Sequence, residues 1–215
     1  MRITGRPPES SGPFLKLVGR IARRKTRQLT GRETEHMMEP MNAYALLPRL
    51  LLGYGALEDA THKLHNVPER IKGLAELKAA TLTNCEYCID IGSQITRRRG
   101  LSDEELLALP RYRESDLFSD VEKLALDYAV GMSRTPVDVP DELFAKLREH
   151  FDERQIVELT NVIALENMRG RFNLALGIGS AGFSEGMVCA VPERVPEAAT
   201  EVASDAAQTP AGAPA

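Results

Sequence analysis

The sequence predicts an all-α fold, and three observations carry that prediction. Apolar residues recur at three- and four-residue spacing through most of residues 41–190, and no stretch reads as a convincing strand. Ser-x-x-Glu patterns open two of the periodic stretches, as capping boxes do. Aromatic residues make up 5% of the chain and Trp is missing, which suits a core of Leu, Ala, Ile and Met in packed helices.

The elements follow in order. Residues 1–13 are rich in Pro, Gly and Ser and read as a flexible N-terminus. Residues 14–40 form a basic helical extension: Leu15, Val18, Ile21 and Ala22 share one face among Lys and Arg, and Gly31 is set to end the helix. Such a helix can lie on a membrane surface, but with few large apolar residues it reads as one docked on its own protein or on a sister subunit. Residues 41–190 form the main domain. Pro48 opens or kinks "NAYALLPRLLLGYGALEDATHKLHN", and Pro68 stands in the first turn of "PERIKGLAELKAATLT". A second helix follows through "IDIGSQITRRRG", with Gly100 as its stop. Ser102 with Glu105 and Ser119 with Glu122 cap the next two, and "PDELFAKLREHF" and "DERQIVELTNVIALENMRGRFNLALG" complete the set. From residue 191 to 215 the chain is Ala, Pro, Glu and Thr with little to bury, and reads as a disordered tail.

Composition narrows the class. The chain has 215 residues, 43% hydrophobic and 27% charged, enough for one domain with a full core. A net charge of -4 argues against nucleic-acid binding by the whole domain. No apolar run is long enough to span a membrane, and the N-terminus lacks the apolar stretch of a secretory signal. A cytoplasmic location is the resulting expectation. In a reducing compartment a Cys-x-x-Cys is more often catalytic or metal-binding than a structural disulfide.

That motif is present in "TNCEYCIDIGSQ", residues 83–94. Asn84 stands where a helix N-cap would, which puts Cys85 and Cys88 in the first turn. Unpaired N–H groups and the positive end of the helix dipole there stabilise a thiolate, and on this argument alone Cys85 is slightly favoured as the more acidic thiol. A thiolate attacks peroxide or disulfide, and its neighbour closes a disulfide. The metal alternative needs four ligands, and "HKLH" supplies His62 and His65 for a formal zinc site with the two cysteines. Lys63 and Asn66 beside them point instead to a solvated helix end, so no metal is expected. Cys189 reads as a small residue at a domain edge, or as an extra resolving thiol.

"LKAATLTNCEYCIDIGSQITRRRGLSDEELLAL" resembles the carboxymuconolactone decarboxylase superfamily, in particular its alkylhydroperoxidase D-like (AhpD-like) branch. The resemblance lies in the apolar helix Leu74 to Leu82, the pair Cys85 and Cys88, and the block Gly100 to Leu109. Residues 163–178 are similar to the family's closing helix. The resemblance implies an AhpD-like helical bundle assembled into trimers or hexamers, with peroxidase or disulfide-reductase chemistry. It implies that Cys88 attacks and Cys85 resolves, with no cofactor, a small peroxide or disulfide as substrate and a thiol electron donor as partner. It also implies a relay His four residues after the second cysteine and a Glu twelve before the first. Here those positions are Gly92 and Gly73.

A proton must still move, so other carriers are needed. Glu76 faces the pair if the two helices pack antiparallel, and is the first choice. Asp90, Ser93, His65 and Glu86 are further candidates, although a carboxylate in the first helical turn also disfavours a thiolate. Glu166, Asn167, Arg169, Arg171 and Asn173 are polar in an otherwise apolar helix. They bridge helices or subunits, or else Asn167 or Arg171 lines a pocket over the cysteines. The preferred function is a thiol peroxidase or disulfide reductase. The alternatives are a redox-sensing or partner-binding protein of the same fold, and a cysteine-independent lyase of the superfamily.

Overall fold

A computed structural model of the chain describes residues 1–7 and 12–193. Its helices are α1 (Pro13–Thr30), α2 (Glu39–Tyr44), α3 (Pro48–His62), α4 (Glu69–Thr83), α5 (Glu86–Arg98), α6 (Asp103–Ala108), α7 (Asp120–Ser133), α8 (Asp141–His150) and α9 (Glu153–Leu176), with a 3-10 turn at Leu109–Arg111. No strand occurs among the described residues. None of the helices among them is long and apolar enough to cross a membrane.

Local chemistry sets most helix ends. Gly31 and Gly177 close α1 and α9 with φ of 73° and 64°, the left-handed region glycine enters without steric cost. Pro48 sits at the start of α3, where a missing N–H costs nothing. Ser102 and Ser119 both form complete capping boxes with Glu105 and Glu122. Asp152 and Gln155 form a third at the head of α9.

Helix α4 is the centre of the bundle and packs on α5, α7 and α9. Leu74 and Leu77 face Ile89, Leu106 and Leu126, while Ala75 and Ala79 face Ala125, Leu159 and Ile163. Ten of its fifteen residues are buried, which places it in the interior, and small alanines let α7 and α9 come close. Its two buried lysines are both paired. Lys72 meets Glu158 at 2.8 Å, and Lys78 pairs with Glu193 while its ammonium stands 4.7 Å over the Tyr112 ring.

The basic helix α1 docks on the core. Leu15 and Val18 pack towards Tyr44 and Leu51, and Ala22 packs against Met37, Met38 and Phe183. Lys25 ties it to Asp59 of α3 at 2.6 Å. The ends of the described chain are held as well, where the sequence suggests loose segments. Arg2 N–H donates to Leu176 O at 2.6 Å, and Glu193 N–H donates to Thr81 O at 2.9 Å. The remainder of the expected tail, residues 194–215, lies outside the described residues.

Candidate active site

The site begins at the turn between α4 and α5. Asn84 does not cap α5, as its position in the sequence suggests. It closes α4 in the left-handed conformation, with φ 56° and ψ 34°. Asn tolerates this region better than most side chains, and its Nδ2 donates to Leu82 O and Glu193 O at 3.3 and 2.7 Å. The chain therefore reverses within one residue, and Cys85 itself becomes the N-cap of α5. The Cys85 sulfur accepts the N–H of Cys88 at 3.2 Å. Cys85 and Cys88 are joined as a disulfide, with Cα atoms 5.2 Å apart.

One further donor reaches both sulfurs. Asn173, in the last turn of α9, places Nδ2 3.5 Å from the sulfur of Cys85 and 3.5 Å from that of Cys88. A donor so placed favours negative charge on sulfur, as does the start of a helix. In the sequence Asn173 is only one of several polar residues in an apolar helix. The signal that points to it is its burial, which demands a partner.

A cavity of about 480 Å³ opens on one side of the pair, walled by α1, α2, α3, α4, α5 and α9. Cys88 lines it, together with Asn173, whereas Cys85 lies behind at 1% exposure. Most of the wall is apolar, including Val18, Ile21, Leu51, Leu77 and Ile91. Tyr54, Tyr44 and Phe172 add three parallel rings with centroids 4.4 and 4.2 Å apart.

A charged cluster interrupts this apolar wall. Arg169 donates to both oxygens of Glu58 at 2.8 and 2.7 Å, to Glu166 at 2.8 Å and to Glu76 at 3.3 Å. Burial pushes the Glu166 carboxyl up to about 7, against the pull of Arg169. Its Oε1 is buried without a hydrogen-bond partner. Burial acts on Glu58 in the same sense, but its two bonds from Arg169 outweigh it and hold that carboxyl low. His62, exposed at the end of α3, is partly desolvated by the same wall and pushed below the usual histidine range.

Of the residues singled out in the sequence, Cys88, Glu76, Glu166, Arg169 and Asn173 line one cavity, with Cys85 bonded to Cys88 behind it. The remaining candidates stand elsewhere. Asp90 accepts from Ser180 Oγ and from the N–H groups of Ala181, Phe183 and Ser184, and so pins the loop after α9. Ser93 accepts from Ala190 N–H at 3.0 Å and lies 3.3 Å from the sulfur of Cys189. His65 is exposed beside Glu69, at 3.4 Å. Asn167 donates to Ser133 Oγ and Ile163 O. Arg171 reaches Thr135 Oγ1 at 2.7 Å in an exposed position, and Glu86 is exposed. Asn167 and Arg171 thus leave the cysteines to Asn173, because the α9 face that meets α5 carries Asn173. Among the described residues no three His, Cys, Asp or Glu side chains gather to hold a metal ion. The two glycines at the family's relay positions stand at the close crossing of α4 and α5. A Cβ on Gly92 would lie 3.1 Å from Leu77 Cδ1, and one on Gly73 3.1 Å from Thr96 Cγ2.

Residues 48–130 match the model of the carboxymuconolactone decarboxylase family. Over those residues, 83 of the 215, the chain is similar to that family. The uncharacterized protein YnjA of Escherichia coli is 40% identical over 124 residues, which are 58% of this chain and 65% of YnjA. The chain therefore matches slightly less than two thirds of that relative's length. Among solved structures, the debrominase Bmp8 superposes with a TM-score of 0.72 at 21% identity, over 85% of this chain and 94% of Bmp8. The AhpD core of an uncharacterized peroxidase-related protein from Ralstonia eutropha JMP134 does so with a TM-score of 0.68 at 16% identity, over 89% and 97% of the two chains. At these identities the likeness is one of fold, and that fold is AhpD-like and all-helical, as the sequence predicts.

Proposed function

We propose that this protein is a thiol-dependent oxidoreductase, a peroxidase or disulfide reductase, in which Cys88 attacks and Cys85 resolves. The observation that carries the reading is the position of Cys88: it faces the cavity, shares the Asn173 donor with Cys85, and stands three residues from its bonded partner. The reduced Cys88 thiolate attacks a peroxide oxygen, the O–O bond breaks, and the departing alkoxide takes a proton to leave as an alcohol. Cys88 is then a sulfenic acid. The Cys85 sulfur attacks it, hydroxide leaves and is protonated to water, and the Cys85–Cys88 disulfide forms. An external dithiol returns both thiols at the cost of its own oxidation.

Glu76 is the proposed proton carrier, since it lines the same cavity and holds a loose contact to Arg169. A trimer or hexamer in the cytoplasm belongs to the same proposal. Exposed Leu46, Leu47 and Leu50 around the start of α3 support assembly, which sedimentation tests. The proposal requires that Cys88→Ser abolish peroxide turnover; wild-type turnover in that variant sinks it. A second reading, a redox sensor without turnover, is favoured by Gly92 in place of the relay His. It predicts reversible disulfide formation at a rate far below catalytic. Activity that survives loss of both cysteines would instead indicate a lyase.

A further inference from the structure

We propose that the cavity beside Cys88 binds an uncharged, flat aromatic molecule that carries a hydrogen-bond donor, phenol-like in chemistry, with its donor on Glu76. This deepens the proposed function, and rests on it in that the guest is the organic part of what Cys88 acts on.

Size comes first. At about 30 Å³ for each water-sized group, the 480 Å³ cavity holds about sixteen of them. That is far more than a bare peroxide fills, and within the range of pockets that enclose small organic ligands. The lining keeps this room open at a cost. Gly55 lies inside helix α3, where glycine is less stable than alanine by about 1 kcal/mol. Gly73 and Gly92 are explained by close helix packing, since a Cβ on either would crowd a neighbour at 3.1 Å. Gly55 has no such reason. It lines the cavity, and a Cβ there would meet nothing within 4 Å.

Shape and polarity narrow the guest. The parallel rings of Tyr54, Tyr44 and Phe172 offer faces and edges to another ring, and both arrangements are favourable. Every cation on the wall is already engaged by a carboxylate: Lys25 by Asp59 at 2.6 Å, Arg99 by Glu69 at 3.1 Å, and Arg169 by Glu58, Glu76 and Glu166. Among the described residues an anionic guest would find no free positive partner. Glu76 is the opposite case. Its side chain is 27% exposed and among the described residues has one ion-pair contact, 3.3 Å from Arg169, so it retains acceptor capacity for a donor on the guest.

The test uses the full chain in its disulfide form, so that no turnover is needed. Binding of 2-naphthol, 2-naphthoate and 1-decanol is measured by calorimetry. The expected result is one saturable 2-naphthol site per chain, with 2-naphthoate at least tenfold weaker and 1-decanol weaker than the naphthol. Gly55→Trp, which fills the cavity from a helical position free of neighbours, abolishes 2-naphthol binding while the circular dichroism stays helical. Glu76→Gln narrows the gap between naphthol and naphthoate. Equal binding of the two naphthalenes, tighter binding of the alkanol, absence of a saturable site, or naphthol binding that persists in Gly55→Trp overturns the proposal. Peroxide reactivity of Cys88, measured separately, keeps the two claims apart. Naphthol binding by a protein with an inert Cys88 removes the proposed function and leaves the ligand class standing. Fast thiol oxidation without binding removes the ligand class alone.

Discussion

Two sulfurs in a buried site share one amide, and the Asn173 Nδ2 3.5 Å from each is the residue-scale feature on which their proposed chemistry turns. Asn173→Ala removes that donor without touching either cysteine. A hydrogen bond to a charged group is worth about 1.5–3 kcal/mol at its best. Sulfur at 3.5 Å lies at the weak end, so about tenfold slower oxidation at neutral pH is expected by stopped flow. Unchanged kinetics would show the contact to be structural only. Glu166 carries a second prediction. Its carboxyl, raised to about 7, keeps a proton in the folded state that the unfolded chain releases near pH 4.3. Stability is full below that window and is lost as pH rises through it. Glu166→Gln lacks this loss, so denaturant titrations should show the variant gaining on wild type between pH 5 and pH 8, on the order of 1–3 kcal/mol. A difference that stays constant with pH contradicts the assignment. The cysteine pair was legible in the sequence because its motif spans four residues. Asn173 was not, since its partners are 85 and 88 residues away and only the crossing of α9 with α5 brings them together.

Helix ends and helix crossings read differently. Ser102, Ser119 and Gly31 announce their caps because each acts within four residues, whereas Asp152, with Gln155 as its box partner, is as local and easily passed over. Asp152→Ala should cost about 1 kcal/mol in chemical denaturation. Asn84 misleads because Asn serves equally at an N-cap and in a left-handed turn, and the short link between α4 and α5 decides for the turn. Crossings leave a fainter trace. Gly170 packs against Thr83, and a Cβ there would lie 2.6 Å from its hydroxyl. Gly170→Ala therefore pushes α9 off α4 just beyond the cysteine turn, and a loss of about 1–3 kcal/mol is expected, against the gain that alanine brings to an uncrowded helix. A more stable variant would mean that the crossing relaxes at no cost.

At the scale of the whole molecule, the all-α bundle was legible from periodicity, but the ties that close it were not. Glu193, at the end of the described chain, lies in a stretch whose composition suggests a loose tail. Its carboxylate nonetheless pairs with buried Lys78 and accepts from Thr81 Oγ1 at 2.7 Å. Burial pushes the Lys78 ammonium down, and losing the partner leaves that charge uncompensated. Glu193→Ala should cost about 3–5 kcal/mol, and Lys78→Met in the same chain should recover most of it. The Glu193–Lys78 pair, the docked α1 and the charged cluster round Arg169 all depend on residues far apart in sequence. The docked α1 and the Arg169 cluster line the cavity that Cys88 also lines. The proposed function turns on Cys88 as the attacking sulfur, and the measurement that tests it is stopped-flow oxidation of the fully reduced protein by peroxide across pH, with Cys85→Ser and Cys88→Ser beside it. The account predicts fast oxidation in wild type, a fast first step that stops at a sulfenic acid in Cys85→Ser, and no fast step in Cys88→Ser. A fast step that survives in Cys88→Ser and vanishes in Cys85→Ser would contradict it.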